Sequence, residues 1–144
     1  MQFSVHSRNK GLAVLIENTV KVLIQELNLS NSKWELTIHT QKGLAKNDEM
    51  RGVVGPSEQG QLIMLLDSKL STDVLIETIC HEMVHVKQFA RGHARLEHRG
   101  KKTTFYWLGK KVKASYWDRP WEQEAWRKEK VLASKIYKII APNT

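Results

Sequence analysis

The chain has 144 residues, the length of one ordinary domain, and its 41% hydrophobic and 26% charged content matches a globular protein rather than a disordered one. No apolar run reaches the roughly eighteen residues of a membrane span, and Arg8, Asn9, Lys10 and Glu17 interrupt the opening stretch, so neither a transmembrane segment nor a cleaved signal is expected. The net charge is +8, and the single cysteine, Cys80, excludes an internal disulfide framework and points to a reducing compartment, the cytosol of a cell or of an infected host.

Taken in chain order, "QFSVH" alternates as a short strand does. Asn9 is then positioned to cap a helix running to about Leu29, whose apolar stripe includes Leu12, Ile16, Val20, Leu23 and Leu27. After the break at "SNSK", "WELTIHT" alternates Trp34, Leu36 and Ile38 against Glu35, Thr37 and His39, the period of a second strand. "MRGVV" reads as an extended segment in a glycine-rich stretch, and "QLIMLLD" as a buried strand too short to be a helix. Ser71 caps a second helix through "TDVLIETICHEMVHVKQFA", which stops at Gly92.

A basic loop is expected next. "TTFYWL", the turn "GK" and "KVKASYW" predict a hairpin, and Pro120 opens a last helix through "WEQEAWRKEKVLASKIYKII". The order is strand, helix, three strands, helix, hairpin, helix: one α+β domain over 1–144, with helices covering one side of a mixed sheet.

Charge is concentrated in one place. Between Arg91 and Lys113 eight basic residues face one acid, Glu97, which accounts for +7 of the total. Such a segment is either a solvated loop and hairpin surface or a contact for nucleic acid or an acidic protein.

The chemistry lies in the second helix. Positions four apart share a helical face, so His81 and His85 direct two imidazoles at one point, and Glu82, about 100° round the axis, reaches that point without being a ligand. Three ionisable groups in an apolar helix are costly to bury without a purpose. A catalytic zinc takes a third protein ligand, and the downstream candidates are His93, His98, Asp118, Glu122 and Glu124. Of these, Glu122 stands in the first turn of the last helix.

"HEMVH" followed by "PWEQEAW" resembles the zincin metallopeptidases of the gluzincin branch, in which a third glutamate ligand begins an E-x-x-A signature on a later helix. The resemblance covers mainly residues 71–130 and implies a minimal zincin-like domain, with an active-site helix, a C-terminal helix, and zinc held by His81, His85 and Glu122. Similar pairs occur in ImmA/IrrE-like peptidases and in small phage-borne zincin proteins. Trp126 stands where many gluzincins carry an aspartate that orients a zinc histidine, so that partner is expected elsewhere, at Asp73, Glu77 or a backbone carbonyl. A second resemblance, to SprT-like proteases that act on proteins crosslinked to DNA, rests on "HEMVHVKQF" and the basic, histidine-bearing loop; it implies His98 as third ligand.

Either resemblance implies a hydrolase in which Glu82 takes a proton from a zinc-activated water and passes it to the leaving amine. Tyr116, ahead of the last helix, is the first candidate to stabilise the oxyanion, followed by Tyr106, Arg119 and His93. "MRGVVG" is the candidate edge for a peptide added as an extra strand. A module that keeps zinc for stability and engages nucleic acid through Arg91–Lys113 is the alternative function.

Overall fold

The computed structural model describes residues 1–44, 50–57, 60–113 and 120–140. The elements are β1 (Gln2–His6), α1 (Lys10–Glu26), β2 (Glu35–Gln41), β3 (Gly52–Pro56), β4 (Gln61–Asp67), α2 (Thr72–Ala90), β5 (Ala94–Arg99), β6 (Lys102–Trp107), β7 (Lys110–Val112) and α3 (Pro120–Ile140). The fold is α+β. No helix among the described residues is long and apolar enough to cross a membrane.

The helix starts follow from capping chemistry. Asn9 Oδ1 accepts the Leu12 amide at 3.1 Å, and Ser71 Oγ accepts the Val74 amide at 3.4 Å, each satisfying a donor that the first helical turn leaves free. Helix α2 ends with Arg91 as C-cap and Gly92 at φ +75°, the left-handed conformation that glycine adopts without a Cβ clash. Helix α1 stops slightly earlier than its apolar stripe predicts, because Asn28 turns left-handed at φ 56° and sends the chain away.

Strands β1, β2, β4 and β3 form a mixed sheet in that order, parallel except for the antiparallel β3–β4 pair. Leu36, Ile38, Leu62, Met64 and Leu66 point to one face and are buried against α1 and α2, together with Ile16, Val20, Leu23, Ile79 and Met83. The other face carries Ser4, Thr37, His39 and Ile63 and is largely exposed. Burying one side of a sheet under helices is what the period-two strands and the broad apolar stripes dictate together.

The expected basic loop after Gly92 is in fact strand β5, paired antiparallel with β6. Its alternation is real, with Ala94 and Leu96 inward against Arg95, Glu97 and Arg99 outward, but so few apolar residues carry it that composition hides it. β6 and β7 are joined through Leu108 and Gly109, at φ 51° and 83°, so the hairpin turn lies one residue earlier than "GK". The inner face of this second sheet, Ala94, Leu96, Phe105 and Val112, packs with Phe89 and Trp121 in a small satellite core.

Candidate metal site and cleft

Helix α2 is apolar over most of its surface, with one polar stripe: Thr78, His81, His85 and Gln88 recur at helical spacing. Helix α3 answers with Glu122, Ala125, Glu129, Leu132 and Ile136 on the face it turns to α2. Ala125 is completely buried, and its small side chain lets the two helices approach where their acids and imidazoles meet.

Glu122 Oε2 lies 3.0 Å from His81 Nε2, and Glu122 Oε1 lies 2.5 Å from His85 Nε2. The two Nε2 atoms are 3.2 Å apart, so one carboxylate and two imidazoles converge on a single point. Among the described residues these three form the group able to hold a metal ion, with donor atoms all within 4.8 Å of one another.

The far sides of both rings are tied down. His81 Nδ1 meets Glu129 Oε2 at 3.1 Å, and His85 Nδ1 donates to Gln88 Oε1 at 2.8 Å. The Gln88 amide nitrogen in turn donates to the Trp121 carbonyl at 3.1 Å and to Glu124 at 3.2 Å, which fixes its orientation and keeps its oxygen toward His85. A ring that donates through Nδ1 presents its Nε2 lone pair to a cation, and acceptors such as these hold the ring in that tautomer. Two imidazoles and a carboxylate are a donor set that zinc takes, so the residues present fit the ion.

Protons compete for the same atoms. Burial pushes both imidazoles toward neutrality, but the hydrogen bonds they donate to Glu122 and the charges of the surrounding carboxylates outweigh it, and both rings titrate above their usual 6.5. Burial opposes the charge on Glu122, yet two imidazole hydrogen bonds and the positive rings hold its carboxyl down to about 2.

Glu82 stands beside this group, only 7% exposed, and burial pushes its pKa above the ordinary carboxylate value. It lines a cleft of about 740 Å³ together with the three donor residues. One wall is β3, the opposite wall is Ala94, Leu96 and Phe105 of the second sheet, and Trp126 stands at 55% exposure with its ring 6.5 Å from that of His81.

Among the described residues no strand pairs with the outer edge of β3, and β3 lines this cleft. The hydrogen bonds Asp67 N–H to Arg51 O and Ser57 N–H to Gln61 O assign the odd-numbered residues of that segment to the ladder with β4. The amide groups of Gly52 and Val54 and the carbonyl of Pro56 therefore point outward, and the proline costs no ladder bond. Pairing is continuous, so Gly52 marks no bulge. A Cβ there would come within 2.9 Å of Thr78 Cγ2 and 3.1 Å of Leu66 Cδ2, and glycine is what lets the strand lie this close to α2.

The other expected residues fall elsewhere. Tyr116, Asp118 and Arg119 lie outside the described residues. Glu124 holds Gln88 rather than joining the imidazoles. His98 is exposed on β5, hydrogen-bonded to Thr103 Oγ1 at 3.0 Å, and His93 stacks edge-on against Trp107. Tyr106 sits under the Arg95 guanidinium. Trp121 packs on Phe105 and Trp107. The buried thiol of Cys80, pushed up to about 12 by burial and by the charges of Glu129 and Glu77, is an inert apolar side chain.

The ring partners expected at Asp73 or Glu77 are instead Glu129 and Gln88. Asp73 accepts from the Tyr137 hydroxyl at 3.1 Å, and Glu77 lines the cleft one turn before His81. Glu129 falls two helical turns after Glu122 on the same stripe, a periodicity that could have singled it out, and Gln88 lies one turn after His85. No family model, curated protein or solved structure matches this chain.

Proposed function

We propose that the chain is a zinc-dependent metallopeptidase. The observation that carries this reading is the convergence of His81 Nε2, His85 Nε2 and the Glu122 carboxylate beside buried Glu82, in a cleft walled by β3, the edge strand of its sheet among the described residues. Zinc held by these three residues would supply Lewis acidity, polarising a carbonyl and making water acidic enough to ionise near neutral pH.

The remaining work falls to the chain's own groups. An extended peptide pairs with the outward amides of Gly52 and Val54, which brings a scissile carbonyl across the cleft. Glu129 and Gln88 keep both rings aimed at the shared point. Glu82 accepts a proton from the attacking water and returns it to the amine nitrogen as the C–N bond breaks. A buried carboxylate whose pKa is raised above the ordinary carboxylate value suits that exchange, because burial makes it a stronger base than a solvated one.

The test is metal content together with cleavage of an unstructured protein such as casein. Wild-type chain is expected to hold about one zinc and to cleave; Glu82→Gln is expected to keep the metal and lose at least about a hundredfold in activity. Wild-type protein that takes up no zinc after supplementation overturns the reading.

A further inference from the structure

We propose that the solvent face of the β5–β6–β7 sheet is a docking surface for single-stranded nucleic acid. The register sorts its side chains into two sets. Ala94, Leu96, Phe105 and Val112 turn inward to the satellite core, while Arg95, Glu97, Arg99, Lys102, Tyr106 and Lys111 turn outward.

The outward set forms rows across the strands. Arg99 is directly opposite Lys102, and Arg95, Tyr106 and Lys111 make a second row. Opposed like charges on one face of a sheet weaken pairing, so the Arg99–Lys102 match works against the fold rather than for it. The four cations of this face are all exposed, and the one carboxylate among them, Glu97, is held by Arg99 at 3.2 Å. Seven of the chain's eight net positive charges lie between Arg91 and Lys113. A polyanion relieves this repulsion and gains counterion release as it binds.

The choice of occupant follows from Tyr106. The Arg95 guanidinium lies over its ring, 4.5 Å from the centre, which sets a planar cation above an aromatic platform in the middle of the sheet. Unstacked bases use such planes, whereas an acidic peptide has no group that needs one and a duplex keeps its bases stacked inside. The two cationic rows are four residues apart along the strands, about 13 Å, room for more than one phosphate.

The surface is independent of the metal reading. Ala94, Leu96 and Phe105 line the cleft with the opposite face of this sheet, so a strand bound outside leaves the cleft open.

The experiment is fluorescence anisotropy on the full chain with a labelled oligothymidine of about 20 nucleotides, a duplex of equal length and a polyglutamate peptide, from about 50 to about 200 mM salt. The oligothymidine is expected to bind tightest. Lys102→Gln and Lys111→Gln, both at exposed positions, are each expected to lower the log–log salt slope by about 0.7. Glu97→Gln is expected to tighten binding, and Tyr106→Ala to weaken it about tenfold. Binding is expected to survive Glu82→Gln and chelation, and to be unchanged in Lys10→Gln/Lys21→Gln on α1. Absence of oligothymidine binding at the lowest salt, equal affinity for the peptide or the duplex, or a slope unmoved by the two lysine variants overturns the proposal.

Discussion

Gln88 Oε1 accepts a hydrogen bond from His85 Nδ1 at 2.8 Å while its amide nitrogen holds the first turn of α3 through the Trp121 carbonyl. One buried side chain thus sets the ring of His85 and the turn that carries Glu122. Replacing it by leucine keeps the volume roughly constant but leaves the ring and two acceptors unheld. Gln88→Leu is expected to weaken zinc binding by about ten- to a hundredfold, measured by competition with a chromophoric chelator, and affinity within a factor of about two of wild type would show that Gln88 has no such role.

The donor set makes a prediction that separates three residues. Glu122→Ala is expected to abolish stoichiometric zinc, whereas Glu124→Gln and His98→Ala are expected to retain it, because neither side chain reaches the imidazoles. Metal analysis after gel filtration reads this directly. Loss of zinc in His98→Ala with retention in Glu122→Ala would reverse the assignment.

The titration of the same cluster gives the stability of the zinc-free chain and the increment added by zinc pH dependences of opposite sign. Glu122 is held down to about 2, so its contribution is complete above its usual 4.5 and is lost as pH falls toward 2. His81 and His85 titrate above 6.5, so their contribution is complete below 6.5 and is lost as pH rises through the raised values. The chelated chain is therefore expected to melt highest between about 4.5 and 6.5 and to lose stability as pH rises above that window through the raised imidazole values. With saturating zinc the shift in melting temperature is expected to grow over that alkaline range, since protons cease to compete for the rings. Thermal melts in chelator and in zinc at each pH measure both trends.

Gly52 and Gly55 lie three residues apart on β3 and are expected to behave differently. A methyl at Gly52 meets Thr78, Leu66 and the Leu65 carbonyl, whereas one at Gly55 meets nothing within 4 Å. Gly52→Ala is expected to cost about 1–3 kcal/mol by overpacking the strand against α2. Gly55→Ala is expected to change stability by less than about 0.5 kcal/mol, a surface substitution. Denaturant melts decide, and equal effects would show that close approach is not why glycine stands at residue 52.

The legibility of the sequence was uneven for physical reasons. Helices α1 and α2 were readable because Asn9, Ser71 and Gly92 punctuate them and because their stripes are long. Strand β5 was not, since "ARLEHR" offers one large inward side chain, Leu96, and its pairing with β6 supplies what its composition lacks. His81, Glu82 and His85 are a local pattern, visible from spacing alone. Their supports are tertiary: Glu129 reaches His81 across 48 residues of chain, and only the docking of α3 on α2 says which of several acids does so. Gln88 is a neutral amide that no charge singles out in the sequence, although its helical phase places it beside His85.

The distance in sequence between His81 and Glu122, 41 residues, has a consequence for synthesis. A growing chain exposes both histidines and the neighbouring acid well before the helix that carries the third donor has been made. In that interval α2 has two imidazoles but neither Glu122 to complete the donor set nor Glu129 to fix the first ring. On the proposed function, hydrolytic competence therefore waits until α3 has been made, and α2 alone is spared from acting as a protease during its own synthesis.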